Sequence, residues 1–132
     1  MLKTIIVDDE KHGSDRLLNL ISNYENTFDV IATCQSVEEA LIATKSLQPE
    51  LIFLDIKIQD KTGFDFLKQI ETINFEVIFT TAFESYAIKA FKYSAFDYLL
   101  KPIDTEDFNK TVRRLEERLL QINLSEKMKI LF

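Results

Sequence analysis

The stretch Leu51-Ile52-Phe53-Leu54-Asp55 decides the fold. Four consecutive large apolar residues leave no polar side, the pattern of a strand buried on both faces in a parallel sheet with helices above and below. The run ends in a carboxylate, Asp55, at the strand terminus where open α/β sheets bind their ligands.

Working outward, apolar runs and helical stripes alternate in both directions. Towards the N-terminus, Ile5-Ile6-Val7 centres a first strand over residues 2–7. Leu17, Leu20, Ile21 and Tyr24 then repeat at helical spacing over residues 15–24. Val30-Ile31-Ala32 reads as a short second strand. Ser36, three residues before Glu39, has the spacing of a capping box and opens a second helix through Leu47, which Pro49 stops. Towards the C-terminus, a polar loop over residues 57–63 leads into a third helix carrying Phe64, Leu67 and Ile70. A fourth strand spans residues 76–81, and Ala87, Ile88, Ala90 and Phe91 mark a short fourth helix. The fifth strand, residues 96–100, runs into Lys101-Pro102. Phe108, Val112, Leu115, Leu119 and Ile122 form the stripe of a final helix. Five strands alternating with five helices imply parallel crossovers and a doubly wound α/β sheet.

The length, 132 residues, suits one domain with a sizeable core, and 46% hydrophobic with 29% charged residues is ordinary globular composition. The net charge of −6, with no basic run, argues against this segment itself gripping nucleic acid through phosphates. The single cysteine, Cys34, excludes an internal disulfide and reads as a buried, inert thiol. His12 reads as a solvated residue at a helix start. The first apolar run stops at Asp8-Asp9-Glu10, so no signal peptide is expected, and no run is long enough to cross a bilayer. A cytoplasmic domain is the expectation. Residues 1–122 form its body, and 123–132, where the stripe is lost, read as the start of a connection to something further.

Polar residues collect at the strand ends. Asp8 and Asp9 close the first strand, Asp55 the third, Thr81 the fourth and Lys101 the fifth. In the sheet order 2-1-3-4-5 these four strands are neighbours, and their ends face one crevice. Three carboxylates brought together repel one another unless their pKa values rise or a cation sits among them. An oxygen-only, partly hydrated ligand set suits Mg2+ better than zinc or copper.

The motifs Ile6-Val7-Asp8-Asp9-Glu10, Leu54-Asp55-Ile56, Gly63 eight residues after Asp55, Thr80-Thr81-Ala82 and Asp97-Tyr98-Leu99-Leu100-Lys101-Pro102 resemble the receiver domain of response regulators in two-component signalling. The resemblance covers residues 2–120. More narrowly, Phe79-Thr80-Thr81-Ala82-Phe83, Tyr86-Ala87-Ile88-Lys89-Ala90-Phe91 and the strand-five motif through Ile103 are similar to receivers that precede LytTR-type (LytR/AlgR-like) DNA-binding domains. The resemblance implies a flavodoxin-like (βα)5 fold and a phosphorylation-dependent switch rather than an enzyme. It implies that Asp55 accepts a phosphoryl group from a sensor histidine kinase. Asp8, Asp9, Asp55 and the backbone carbonyl of Lys57 would hold Mg2+. Lys101 and Thr81 would contact the phosphoryl group, and Tyr98 would turn inward as Thr81 moves. The Lys101-Pro102 peptide is expected to be cis. Output would pass through the fourth helix, fifth strand and fifth helix, by homodimerisation on phosphorylation, to a DNA-binding effector domain not in this chain.

Two positions depart from the family pattern. Ile58 and Gln59 stand where the family often has Met-Pro, and Phe83 puts a large ring near the phosphoryl site, where it would shield the acyl phosphate from water. Other aspartate-based or fold-sharing readings fit less well. A flavodoxin-type carrier needs a phosphate loop where Asp8-Asp9-Glu10 stand, and a haloacid-dehalogenase-type phosphatase needs a DxD nucleophile at strand one. A degenerate receiver acting only as a binding module would not need all five site positions filled.

Overall fold

A computed structural model describes residues 1–131. Five parallel strands, β1 (Leu2–Val7), β2 (Phe28–Cys34), β3 (Leu51–Asp55), β4 (Glu76–Thr81) and β5 (Asp97–Leu100), lie in the order β2-β1-β3-β4-β5. The connections are α1 (Lys11–Ile21), α2 (Val37–Leu47), α3 (Gly63–Lys68) and α4 (Ala87–Lys92), and α5 (Thr105–Leu131) closes the fold. This is the flavodoxin-like doubly wound architecture expected from the apolar runs.

Each face of the sheet carries its own core. Ile5, Val7, Ile52, Leu54 and Phe79 face α2, α3 and α4, where Ala40, Phe64, Phe66 and Ala90 meet them. Ile6, Phe53, Ile78 and Leu99 face α1 and α5, and pack on Leu17, Leu20, Phe108, Val112 and Leu115. Successive residues of β3 thus enter opposite cores, which is why the strand tolerates no polar residue before Asp55. Phe108 stacks on Phe53 with ring centres 6.1 Å apart, tying α5 to the strand that carries Asp55.

The structure moves several boundaries. Helix α1 begins at Lys11 rather than near residue 15, because its first turn, Lys11 to Ser14, carries no apolar side chain to mark it; His12 lies there, exposed. Its last turn is a separate 3-10 turn, Ser22–Tyr24. Strand β2 extends beyond its apolar centre to Cys34, which is buried, and burial pushes its thiol up to about 11 with help from the Glu39 charge. Helix α3 stops at Lys68, leaving Ile70 on the following turn. Only the serine half of the Ser36 cap forms, with Glu39 N donating to Ser36 Oγ. A complete capping box occurs at Thr62 and Asp65 instead. Helix α2 ends as Gln48 turns left-handed just before Pro49. The loop after β3 holds a small antiparallel ladder, Lys57–Ile58 against Lys61–Thr62, with Gln59 at positive φ. Finally, α5 continues through the expected extension as far as Leu131, and Phe132 lies outside the described residues. Among the described residues, no helix is long and apolar enough to cross a membrane.

Candidate functional site

The carboxyl ends of β1, β3, β4 and β5 frame one open crevice of about 580 Å3. Backbone pairing persists one residue past two of these strands. Asp8 N donates to Cys34 O, and Lys101 N donates to Thr81 O at 2.7 Å. The backbones of Asp8 and Lys101 are therefore held as those of the strands are.

Asp8 is fully buried, Asp9 half-buried, and Asp55 is 6% exposed on the crevice floor. One carboxylate oxygen from each lies within 4.8 Å of the others. Lys101 Nζ bridges two of them, at 2.7 Å from Asp8 Oδ2 and 2.9 Å from Asp55 Oδ2. Burial opposes the Lys101 charge, but these two carboxylates outweigh it and hold the ammonium above its usual range. Burial pushes the Asp55 carboxyl up to about 6, and the neighbouring Asp8 charge adds to the rise while Lys101 resists it. A carboxylate so placed gains from any cation that reaches it. The three-oxygen set suits a hard, hydrated ion, so these residues fit Mg2+.

Local backbone geometry fixes each acid. Glu10 N donates to Asp8 Oδ1, and Gln59 N donates to Asp9 Oδ2 at 2.8 Å, so the positive-φ turn at Gln59 serves the site. Lys57 N reaches Asp55 Oδ1 at 3.4 Å. Gly63 owes its identity to the same carboxylate's strand, since a Cβ there would stand 2.5 Å from the Asp55 carbonyl oxygen.

Thr81 is buried, and its Oγ1 accepts from Phe83 N. The Tyr98 hydroxyl donates to the Phe83 carbonyl, so Thr81 and Tyr98 grip the same loop from two sides. Burial holds the Tyr98 phenol above its usual range. Phe83 is 45% exposed, lines the crevice, and lies under Lys57 Nζ at 4.8 Å from the ring centre. The Lys101-Pro102 peptide is cis, as expected. Asp8, Asp9, Asp55, Lys57, Thr81, Phe83, Tyr98, Lys101 and Pro102 thus reach this crevice or the loop bordering it. Arg16 was not foreseen. It donates to Ile103 O and to Thr105, tying α1 to the start of α5 beside the crevice. No local signal in the sequence links residues so far apart.

A doubly wound sheet with a lysine-bridged cluster of three aspartates at its strand ends defines a narrow class of α/β domain. The family model for the response regulator receiver domain matches residues 4–113, and the chain belongs to that family. It is the receiver domain of a two-component response regulator, a signalling domain. An uncharacterized response regulatory protein of Yersinia pestis is 38% identical over 124 residues, 93% of this chain and 52% of that protein. The transcriptional regulatory protein BtsR of Salmonella typhimurium is 36% identical over 118 residues, 89% of this chain and 49% of that protein. The chain therefore spans about half the length of the curated relatives it matches. Among solved structures, the REC domain of AraT, a response regulator from Geobacillus stearothermophilus, is similar at a TM-score of 0.82 and 27% identity, covering 92% of this chain and 98% of that one. The response regulatory domain of mrkE from Klebsiella pneumoniae gives 0.81 and 28%, covering 91% and 99%.

Proposed function

We propose that this chain is a phosphorylation-dependent switch in which Asp55 is the phosphoacceptor for a sensor histidine kinase. The observation that carries the reading is the buried Asp55 carboxylate on the crevice floor, with Asp8, Asp9 and Lys101 converging on it. An Asp55 oxygen attacks the phosphorus of a phosphohistidine. The new O–P bond forms as the P–N bond breaks, and its electron pair returns to the partner's imidazole. Asp8, Asp9, Asp55 and the Lys57 carbonyl would hold Mg2+, whose contribution is charge neutralisation on the transferring oxygens. Lys101 leaves its bridge to pair with the phosphoryl group, and the Thr81 hydroxyl donates to it. Because Phe83 is held by both Thr81 and Tyr98, a shift of Thr81 is transmitted to Tyr98 and the α4–β5 surface. A complete switch needs about 5.5 kcal/mol of differential stabilisation. Two new hydrogen bonds to a charged group supply about 1.5–3 kcal/mol each. The test is intact mass after incubation with acetyl phosphate. One added phosphoryl group is expected with Mg2+ and none with EDTA; a folded chain that never gains one contradicts the reading.

Phe83, with Lys57 above its ring, shields the acyl phosphate from water. Phe83→Ala is expected to hasten dephosphorylation several-fold, an effect on the order of 1 kcal/mol on the barrier. Equal decay rates for the two proteins would discard the shield.

The output face is α4, β5 and α5. On α4 Ile88 is 75% exposed and Phe91 66%, and Leu100 of β5 is also exposed. Phosphorylation would pair two chains through this face, with Lys89, Arg113 and Glu117 setting register. Sedimentation with beryllofluoride is expected to show a dimer; monomer at high concentration counts against it.

Residues 1–122 would form the cytoplasmic receiver unit, with the end of α5 leading on to an effector. The strand-four and strand-five motifs support a LytTR-type DNA-binding domain as that effector. The gene's reading frame downstream of the Phe132 codon tests this, and an effector of another fold would refute it.

A further inference from the structure

Four side chains each lie two residues beyond a member of the α1–α5 core: Asp8 after Ile6, Asp55 after Phe53, Thr80 after Ile78, and Lys101 after Leu99. Side chains alternate along a strand, so all four project from one face of the sheet. In strand order they run Asp8, Asp55, Thr80, Lys101. Lys101 follows β5 and bonds Asp55 on β3 and Asp8 after β1, so its side chain spans the end of β4, one residue beyond Thr80.

Thr80 is fully buried and is the direct register partner of Asp55. Its Oγ1 has no hydrogen-bond partner among the described residues. A buried hydroxyl without a partner costs stability that a valine of the same shape would not. The position beneath it, Ile78, is apolar, as the layer demands.

We propose that Thr80 is a positioning residue for phosphoryl transfer, its hydroxyl donating to the Asp55 carboxyl oxygen that Lys101 releases. This rests on Asp55 being the phosphoacceptor. In the resting chain Lys101 supplies the hydrogen bond to Asp55 Oδ2. When Lys101 turns to the phosphoryl oxygens, that oxygen loses its donor at the crevice floor. Thr80 is the register partner of Asp55 on the neighbouring strand and the same face, and its hydroxyl is otherwise unengaged. It holds the carboxyl group in its attacking orientation while the cation is occupied elsewhere.

The experiment follows phosphoryl gain from phosphoramidate and Mg2+ by intact mass, for wild type, Thr80→Val, Thr80→Ala and Thr80→Ser, with a thermal melt of each. Thr80→Val and Thr80→Ala are expected to gain the group about tenfold more slowly. Thr80→Val should melt at or above the wild-type temperature, and Thr80→Ser should keep nearly the wild-type rate. Wild-type rates in the valine and alanine chains overturn the inference alone. A serine chain as slow as valine also overturns it, because packing rather than the hydroxyl is then responsible. No adduct on any chain, wild type included, overturns the phosphoacceptor reading and this inference with it.

Discussion

Asp55→Asn is expected to gain no phosphoryl group from acetyl phosphate or a partner kinase, and yet to be more stable than the wild type at neutral pH without divalent ions. Both effects come from one carboxylate. Its pKa is raised in the folded chain to about 6 from an ordinary 3.8, chiefly by burial. The folded chain therefore binds this proton more tightly than the unfolded chain does. The ionised group destabilises the fold fully above pH 6, less as pH falls towards 3.8, and not at all below that. Removing the charge gains on the order of 2 kcal/mol at pH 7, after a discount for the solvent still reaching the crevice. Urea melts of the two proteins across pH check the sign. The gap closes below about pH 4, and it also narrows when Mg2+ is added to the wild type. A variant less stable than wild type at pH 7 would show that the bond to Lys101 outweighs the cost of burying the Asp55 charge.

Lys101→Met is expected to have the opposite effect on stability. Lys101 is the cation between Asp8, whose side chain is fully buried, and Asp55. Methionine keeps the length and removes the charge, leaving two carboxylates face to face. Removing one partner of a buried pair costs about 3–5 kcal/mol. The Lys101 side chain retains 24% exposure, which brings the expected loss to on the order of 2 kcal/mol in EDTA. Mg2+ should return much of that loss by binding the folded form. The same substitution in an Asp55→Asn background should cost less, because one of the opposed charges is already gone. Denaturation midpoints for the four proteins, with and without Mg2+, measure this coupling. A midpoint in EDTA unchanged by Lys101→Met would mean that the bridge contributes nothing.

The sheet was legible because parallel strands buried on both sides leave apolar runs that nothing else in a chain of this size needs. The acidic cluster was legible for a related reason: a carboxylate directly after such a run, as at Val7-Asp8 or Leu54-Asp55, marks the carboxyl end of a strand. What the sequence hid lies where solvent or distant partners set the structure. The first turn of α1 carries no apolar side chain and the last turns of α5 face water, so no periodicity marks them. The cap at Thr62 uses Asp65 in place of the longer acid usually sought there. Thr80 is a third case. In a one-dimensional reading it is one more β-favouring residue in a strand, and only the alternation of faces places it between Asp55 and Lys101.

The central claim is that Asp55 carries the phosphoryl group. Borohydride reduces an aspartyl phosphate to homoserine, so the site is recorded in a stable residue. Wild-type chain treated with Mg2+ and phosphoramidate, reduced and digested, should show homoserine at position 55 and at no other aspartate. Homoserine at Asp8 or Asp9, or an unmodified Asp55 in a chain that has gained the phosphoryl mass, would contradict the account.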